Sequence, residues 1–466
     1  MGVVTKKIKL SSISFNERLG LKDYSLLQLK DYLFLKNILI NNDVENGIKS
    51  GRTPSKFNEQ YWNGEYEFLT MQDVDKTVYI LNEECTEKIT DFAIDEEKTL
   101  FKATSGDLIF SNAMTVGLSF EINRDIFINQ NIFALKIDET KYNKTFLKWY
   151  FNLVFKPNFD KVHTSKYISK YEVAKIRLPK FNQTFLLKLS TQIQPIETEI
   201  TNLKNSKQKP IDIINKVFGV EFDFDWEEFE KQKKQKTYSS NLNEFANNID
   251  CRMGLKFHNL AGKYLHTFLI SKTKNKIKDF IDEPIVLGKS VSPSDYDEDG
   301  EYFYIAMSNI KTYAFDPEDC KKVSDEYAQS NLKKTVQKGD ILLARSGEGT
   351  IGKVALIEDE DLNAIFADFT QRIRLTNYNT LFAYYYLRSE FFQYLVYTHK
   401  KGLGNNTNIF PSQIQEFPIP DWSEIKQTEI VEKIKLQIDS QNLIDQKIEQ
   451  KQQQINAIIE NAIKAV

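Results

Sequence analysis

Cysteine and histidine are scarce. Three cysteines (Cys85, Cys251, Cys320) and four histidines (His163, His258, His266, His399) are spread over 466 residues. An odd number of widely spaced cysteines with no CxxC argues for a reducing compartment and against a disulfide framework or a structural zinc site. No apolar run approaches the roughly 20 residues that cross a bilayer, and the opening MGVVTKKIKL lacks the apolar core of a signal peptide. A cytoplasmic chain with no membrane contact is therefore expected. Catalytic signatures are missing as well. There is no Asp/Asn-Pro-Pro-aromatic run for methyl transfer, and Ser, His and carboxylates show no nucleophile-elbow spacing. Gly347–Lys353 fits GxxxxGK, but Val354 stands where Ser or Thr would ligate Mg²⁺, and the following VALIE reads as a strand. A Gly-rich hairpin is expected there. The chain reads as non-catalytic, with no cofactor or metal site of its own.

What is present is an ordinary globular composition, 41% hydrophobic and 27% charged, long enough for two to four domains. The formal net charge of −3 resists a nucleic-acid reading at first sight. Distribution matters more than the sum. Between Lys156 and Lys180, Lys156, Lys161, Lys166, Lys170, Lys175, Arg177 and Lys180 face only Asp160 and Glu172, so a local positive surface is compatible with a neutral chain.

Two stretches carry helical seams. From Thr184 to Lys209, Leu186, Leu189, Ile193, Ile196, Ile200 and Leu203 step by three and four residues, a narrow apolar stripe suited to a partner helix. Pro195 sits inside it and predicts a kink. From about Ser423 to Val466, Ile430, Ile434, Ile444, Ile448, Ile455 and Ile458 follow a similar frame, interrupted by Gln437, Gln441 and Lys451, and no Gly or Pro follows Pro420. Two lone seams in one chain most simply pack on each other. Between the two copies, after the first seam helix, Pro210–Phe218 reads as a short helix ended by Gly219. The acidic-then-basic stretch from Glu221, with its KQKKQK run, reads as a solvated linker.

An internal repeat organises the whole. RLGLK at Arg18–Lys22 returns as RMGLK at Arg252–Lys256, and GEY at Gly64 returns at Gly300. SGDLIFSNAMTVG from Ser105 returns as KGDILLARSGEGTIG from Lys338, and IRLPKF is echoed by FPIPDW, all 233 to 241 residues later. Four matches in the same order mean two copies of one unit, each ending in a seam helix. Within a copy, Asp107–Ser111 and Asp340–Ala344, then Ile132–Ile137 and Gln371–Leu375, read as strands. Aromatic helix-like stretches follow (Phe146–Phe155, Leu381–Tyr397).

Candidate binding residues fall in loops at equivalent places. Arg52, Thr53, Ser55 and Lys56 in GRTPSK, and Lys289, Ser290 and Ser292 after Gly288, have the hydroxyls and amines that suit phosphate. Asn112, Lys161, His163 and Lys166 in the first copy, and Arg345, Lys400, Lys401, Asn405, Asn406 and Asn408 in the second, have side chains able to read base edges. Each alone reads as a solvated loop residue; as matched sets they point to a nucleic-acid surface.

These features together resemble the specificity (S) subunit of type I restriction-modification enzymes, over essentially the whole length. The resemblance rests on SGRTPSK…YWNGEYEFLT, the two GD-[IL]-[IL] turns, ADFTQRIRL, and the proline-then-helix entrances IRLPKFNQ and FPIPDWSEIKQTEIV. It implies an α+β chain with a pseudo-two-fold internal repeat. Two similar mixed α/β target-recognition domains (1–181 and 246–421) would be separated by two long antiparallel coiled-coil-like helices, carried by 182–245, with a linker, and by 422–466. It further implies double-stranded DNA as ligand, read as a bipartite asymmetric target. Two methyltransferase subunits bringing S-adenosylmethionine, and restriction subunits using ATP, are the implied partners. A helix of about 26 residues spans roughly 40 Å, near the 34–36 Å of one DNA turn. The rival readings are a non-DNA-binding helical scaffold or adaptor, and a recognition subunit for a fused type II-like nuclease-methylase.

Overall fold

The structure is a computed structural model that describes residues 31–76, 79–162, 166–246, 252–311, 314–315, 317–402 and 406–465. The RLGLK half of the first repeat match lies outside them. The chain divides into two compact units, residues 1–206 with 444–466, and residues 207–443.

The main strands of the first unit up to its helices are β1 (Tyr32–Phe34), β2 (Ile48–Ser50), β3 (Trp62–Leu69), β4 (Glu87–Ile89), β5 (Lys102–Ala103), β6 (Leu108–Ser111), β7 (Ser119–Glu121), β8 (Ile126–Ile128) and β9 (Ile132–Leu135). Helix α1 (Lys144–Tyr150) runs through a π-helical turn, Phe151–Phe155, into α2 (Lys156–Val162). Then come β10 (Arg177–Pro179) and α3 (Gln183–Asn205). One antiparallel sheet has the order β2-β9-β6-β7. A second has the order β4-β3-β8-β5, in which β3 and β8 run parallel.

The LIFS strand is buried at every residue because both its faces are covered. Leu108 and Phe110 pack with the helix residues Phe146, Tyr150 and Phe151, while Ile109 packs with Leu69, Ile126 and Ile128 of the second sheet.

The second unit begins with α4 (Pro210–Phe222), α5 (Trp226–Lys234) and α6 (Leu260–Lys272). Its main strands are β11 (Val286–Leu287), β12 (Tyr302–Ile305), β13 (Lys321–Val323), β14 (Ile341–Ala344), β15 (Val354–Leu356), β16 (Ala364–Phe366) and β17 (Thr370–Ile373). Helices α7 (Thr380–Arg388) and α8 (Glu390–His399) follow, and α9 (Glu424–Lys464) closes the chain. The sheet orders are β11-β17-β14-β15 and β13-β12-β16, with β12 and β16 parallel and a Thr335–Ile365 bridge where the first copy has β5.

Strand order, strand direction and covered faces thus repeat. So do the devices behind the repeated letters. Gly106 and Gly339 take left-handed backbones (φ +86° and +90°), which favour glycine. The aspartates after them close the turn and bind a cation from the neighbouring strand: Asp107 takes Lys136 at 2.6 Å and Asp340 takes Arg374 at 2.7 Å. The GEY glycines lie against backbone, since a Cβ would meet the carbonyl oxygen of Ile89 at 2.3 Å or of Val323 at 2.0 Å. In both copies one tyrosine of the aromatic stretch and one just before it tie down the proline entrance. Tyr142 and Tyr378 donate to the carbonyls of Pro179 and Pro420, and Tyr150 and Tyr386 to those of Arg177 and Pro418.

The seams differ from expectation in one respect. Ile193, Ile200, Ile448 and Ile455 are buried together, with Ile196, Leu203, Ile444 and Ile458 packed at the edge. Glu199 pairs with Lys451, and the Gln208 amide donates to Gln441 Oε1 at 2.8 Å. Advancing along α3 therefore means retreating along α9, so the pair is antiparallel. Leu186 and Leu189, however, join the core of the first unit beneath α1, and Ile430 and Ile434 join Ile214, Val217 and Phe218 of α4. Glu221 of α4 holds Lys426 and Lys433 of α9, each at 2.6 Å. Only the C-terminal part of each predicted seam meets the other. Helix α3 continues unbroken through exposed Pro195.

The stretch from Glu221 is a correction. It is no linker: α4 runs on through Gly219 to Phe222, and α5 packs Trp226 and Phe229 against Phe224 and Phe391. The aromatic residues of EFDFDWEEF, spaced too irregularly to show a period, are what buries it. Gly219 is needed inside the helix, because a Cβ there would sit 2.2 Å from Trp226 Nε1. Lysines of the KQKKQK run pair along the helix, Lys231 with Glu228 and Lys233 with Glu230.

Candidate nucleic-acid interface

In each unit one end of the paired sheets gathers four loops, and backbone hydrogen bonds fix them to one another. In the first, the Arg52 amide donates to the Ile128 carbonyl at 3.2 Å, tying the GRTPSK loop to the end of β8. Gly51 is forced at this crossing, since a Cβ would lie 2.1 Å from that same oxygen. The Asn112 amide donates to Asn131 at 3.0 Å. The Met114 amide donates to Lys166 at 2.7 Å, and Ile168 to Asn112 at 2.9 Å, so the hairpin after β6 and the loop after α2 are laced together. The second unit repeats the pattern: Lys289 to Phe366 (3.0 Å), Arg345 to Phe369 (3.0 Å), Gly347 to Thr407 (3.1 Å) and Ile409 to Arg345 (2.9 Å). A Cβ on Gly288 would likewise lie 2.0 Å from the Phe366 oxygen.

The expected side chains divide by exposure. In the first copy Arg52, Ser55, Lys56, Lys161 and Lys166 are exposed and Thr53 is half-buried against Gln130. Lys56 pairs with Glu87 at 2.6 Å and lies over the Trp62 ring at 3.8 Å. Lys161 sits on α2. Asn112 is buried, with Nδ2 directed at the Gln130 carbonyl, so it supports the loop and presents nothing to a ligand.

In the second copy Lys289, Ser290, Ser292 and Asn406 are exposed, and Lys401, Asn408 and Arg345 are half-buried. Lys400 is a correction too. Its side chain is 6% exposed and both oxygens of Glu348 hold it at 2.9 Å. The Lys400 ammonium holds the Glu348 carboxyl below the usual range. That pair fastens the GEGTIG hairpin to the loop after α8 and leaves Lys400 no charge to offer. His163 and Asn405 lie outside the described residues.

Charge is also spent elsewhere in the expected basic stretch. Lys156 pairs with Asp160, Lys170 with Glu45, and Lys180 with Asp31 at 3.5 Å. In the second unit Lys334, donating to the Leu287 carbonyl at 2.7 Å, has its pKa held down by burial and by the neighbouring cations Arg372 and Lys289. A positive spot therefore lies beside the loop after β11.

Sequence reasoning misses the turns 129–131 and 367–369 at the centre of each loop set, and the large side chains around them. Met114 (70% exposed), Tyr167 (55%), Phe369 (47%) and Phe410 (38%) stand out from the two surfaces. The signal for the turns is a short polar break, NQN or ADF, between apolar runs. It is hard to read because the flanking strands belong to different sheets and form no hairpin.

Exposed amines, hydroxyls and aromatic faces suit a phosphate-bearing polymer with stacked bases. Among the described residues no group of His, Cys, Asp and Glu is placed to hold a metal ion, and no helix is long and apolar enough to cross a membrane.

Comparison with known proteins bears on this surface. Residues 271–457 match the family model of the type I restriction modification DNA specificity domain. No curated protein matches the chain. Among solved structures, a chain from a study of assembly and conformational transition of the type I R-M system is 12% identical, with a TM-score of 0.45 over 94% of this chain and 99% of that one. The type-I restriction-modification system S subunit from M. genitalium is 12% identical, at 0.42 over 95% and 97%. The HsdS subunit from Thermoanaerobacter tengcongensis is 12% identical, at 0.31 over 93% and 96%.

Proposed function

We propose that this chain, whose residues 271–457 belong to the type I restriction modification DNA specificity family, is the DNA sequence-recognition subunit of a type I restriction-modification complex. The observation that carries the step from part to whole is the duplication. The first unit has the same strand order, the same buried aspartate–cation turn and the same laced loops as the second. Each unit then reads one half of a split duplex target. Because Asn112 and Arg345 occupy equivalent places, and the loops differ throughout, the two halves are different sequences.

Methylation and cleavage belong to partners in this reading. Two methyltransferase subunits bring S-adenosylmethionine, and restriction subunits bring ATP. The helices offer a place to dock: Ile425, Leu436 and Leu443 are exposed on α9, and the helical repeat puts them on one face. Binding to phosphates makes affinity fall steeply with salt.

The test is a domain exchange. Residues 246–421 are replaced by the matching segment of another such chain, and the methylome is sequenced in cells carrying the gene with its methylase. One half of the modified motif should change and the other stay. Change in both halves, or no gel shift of any duplex from a random library with or without the methyltransferase, contradicts the proposal.

A further inference from the structure

We infer that Arg345 reads a guanine in the half-site bound by the second unit, a specificity-determining contact that rests on the DNA-recognition reading above. Its backbone is clamped on both sides, the amide donating to Phe369 and the carbonyl accepting from Ile409. Its Nε donates to the Asp368 carbonyl at 3.0 Å, which fixes the plane of the guanidinium. The guanidinium carbon lies 5.7 Å from the Phe369 ring and 5.9 Å from the Phe410 ring, so two exposed aromatics flank it. Neither Nη has a partner among the described residues. With Nε occupied, what remains is the outer edge, two parallel N–H donors on a head held in advance of binding.

Two parallel donors match O6 and N7 of guanine in the major groove, the commonest specific contact arginine makes. They also match a phosphate, but the flanking rings decide between the two. Phenylalanine faces gain from bases and thymine methyls and lose beside a hydrated phosphate. Lys401 lies over the outer Phe410 ring at 5.8 Å, while Lys400 is neutralised by Glu348. The equivalent place in the first unit holds buried Asn112, and the guanine contact therefore belongs to one half of the target.

The test pairs Arg345→Ala and Arg345→Lys with the wild-type chain, each with its methyltransferase, and reads the motif by random-duplex selection and methylome sequencing. Wild type should show a G·C pair at a fixed position of one half-site. Arg345→Ala should lose that preference by roughly 5- to 150-fold, the worth of one bidentate pair, while Arg345→Lys keeps part of it. The unchanged other half-site certifies that the variant is folded. Weaker binding to all sequences alike with the motif intact, and a salt slope reduced by about one, marks a phosphate contact and overturns the inference. An unaltered motif at unaltered affinity overturns it too. In both cases the DNA-recognition reading stands. A wild-type chain that selects no sequence overturns both.

Discussion

Helix α9 serves two cores, and two substitutions in it should act in two different places. Ile455 is fully buried among Ile193, Ile200 and Ile459 in the first unit, and Ile434 is fully buried with Ile214 and Phe218 in the second. Truncating either to alanine removes three carbons from a packed site, at a cost of about 2–5 kcal/mol. That multiplies the opening equilibrium of the affected unit by roughly 30-fold to several-thousand-fold. The effect should be read by native-state hydrogen exchange, where buried amides report the opening of their own cooperative unit. Ile455→Ala should raise exchange in β6, β9 and α1 while leaving β14, β17 and α7 protected. Ile434→Ala should do the reverse. If Ile455→Ala loosens the second unit, or leaves the first unchanged, the assignment of the C-terminal half of α9 to the first core is wrong.

The remaining predictions concern the second unit. Burial, with smaller contributions from His266 and Arg252, pushes His399 from its ordinary 6.5 down to about 4. Between those values the unfolded chain binds a proton that the folded one does not. Stability is therefore full above pH 6.5 and falls by up to about 3 kcal/mol as pH drops toward 4. Urea melts of His399→Gln should lack that part of the slope; an identical slope would rule His399 out as its source. Asp340 is fully buried against Arg374, which also reaches Glu283 at 3.0 Å, so Asp340→Ala removes the buried half of this charge cluster at a cost of about 3 kcal/mol. The double variant Asp340→Ala/Arg374→Leu should recover most of that in thermal melts. No recovery would mean that Asp340 acts through the Gln337 amide it also caps, with the ion pair secondary.

Repetition in the letters determined much of this protein. The two GD turns, the GEY glycines, the proline entrances and the aromatic stretches before them each recur because each meets one local requirement, whether a positive φ, a close backbone approach or a carbonyl to be satisfied. Such requirements involve neighbours a few residues away or one fixed partner, so the sequence alone displays them. The seams are visible for the same reason, a periodicity written along a single helix.

Tertiary structure decided the rest. Helix α5 forms because Trp226 and Phe229 find Phe224 and Phe391, a partner more than 160 residues along, which no local pattern announces. Whether a seam isoleucine meets the other seam or a domain core depends on which helices arrive beside it, so Ile430 and Leu186 are legible as buried but not as to where. At the interface, a lysine and an asparagine in polar loops look alike on paper. Only the fold seals Lys400 against Glu348, buries Asn112, and leaves Arg345 facing outward between two rings, because exposure belongs to the packed surface and not to the residue.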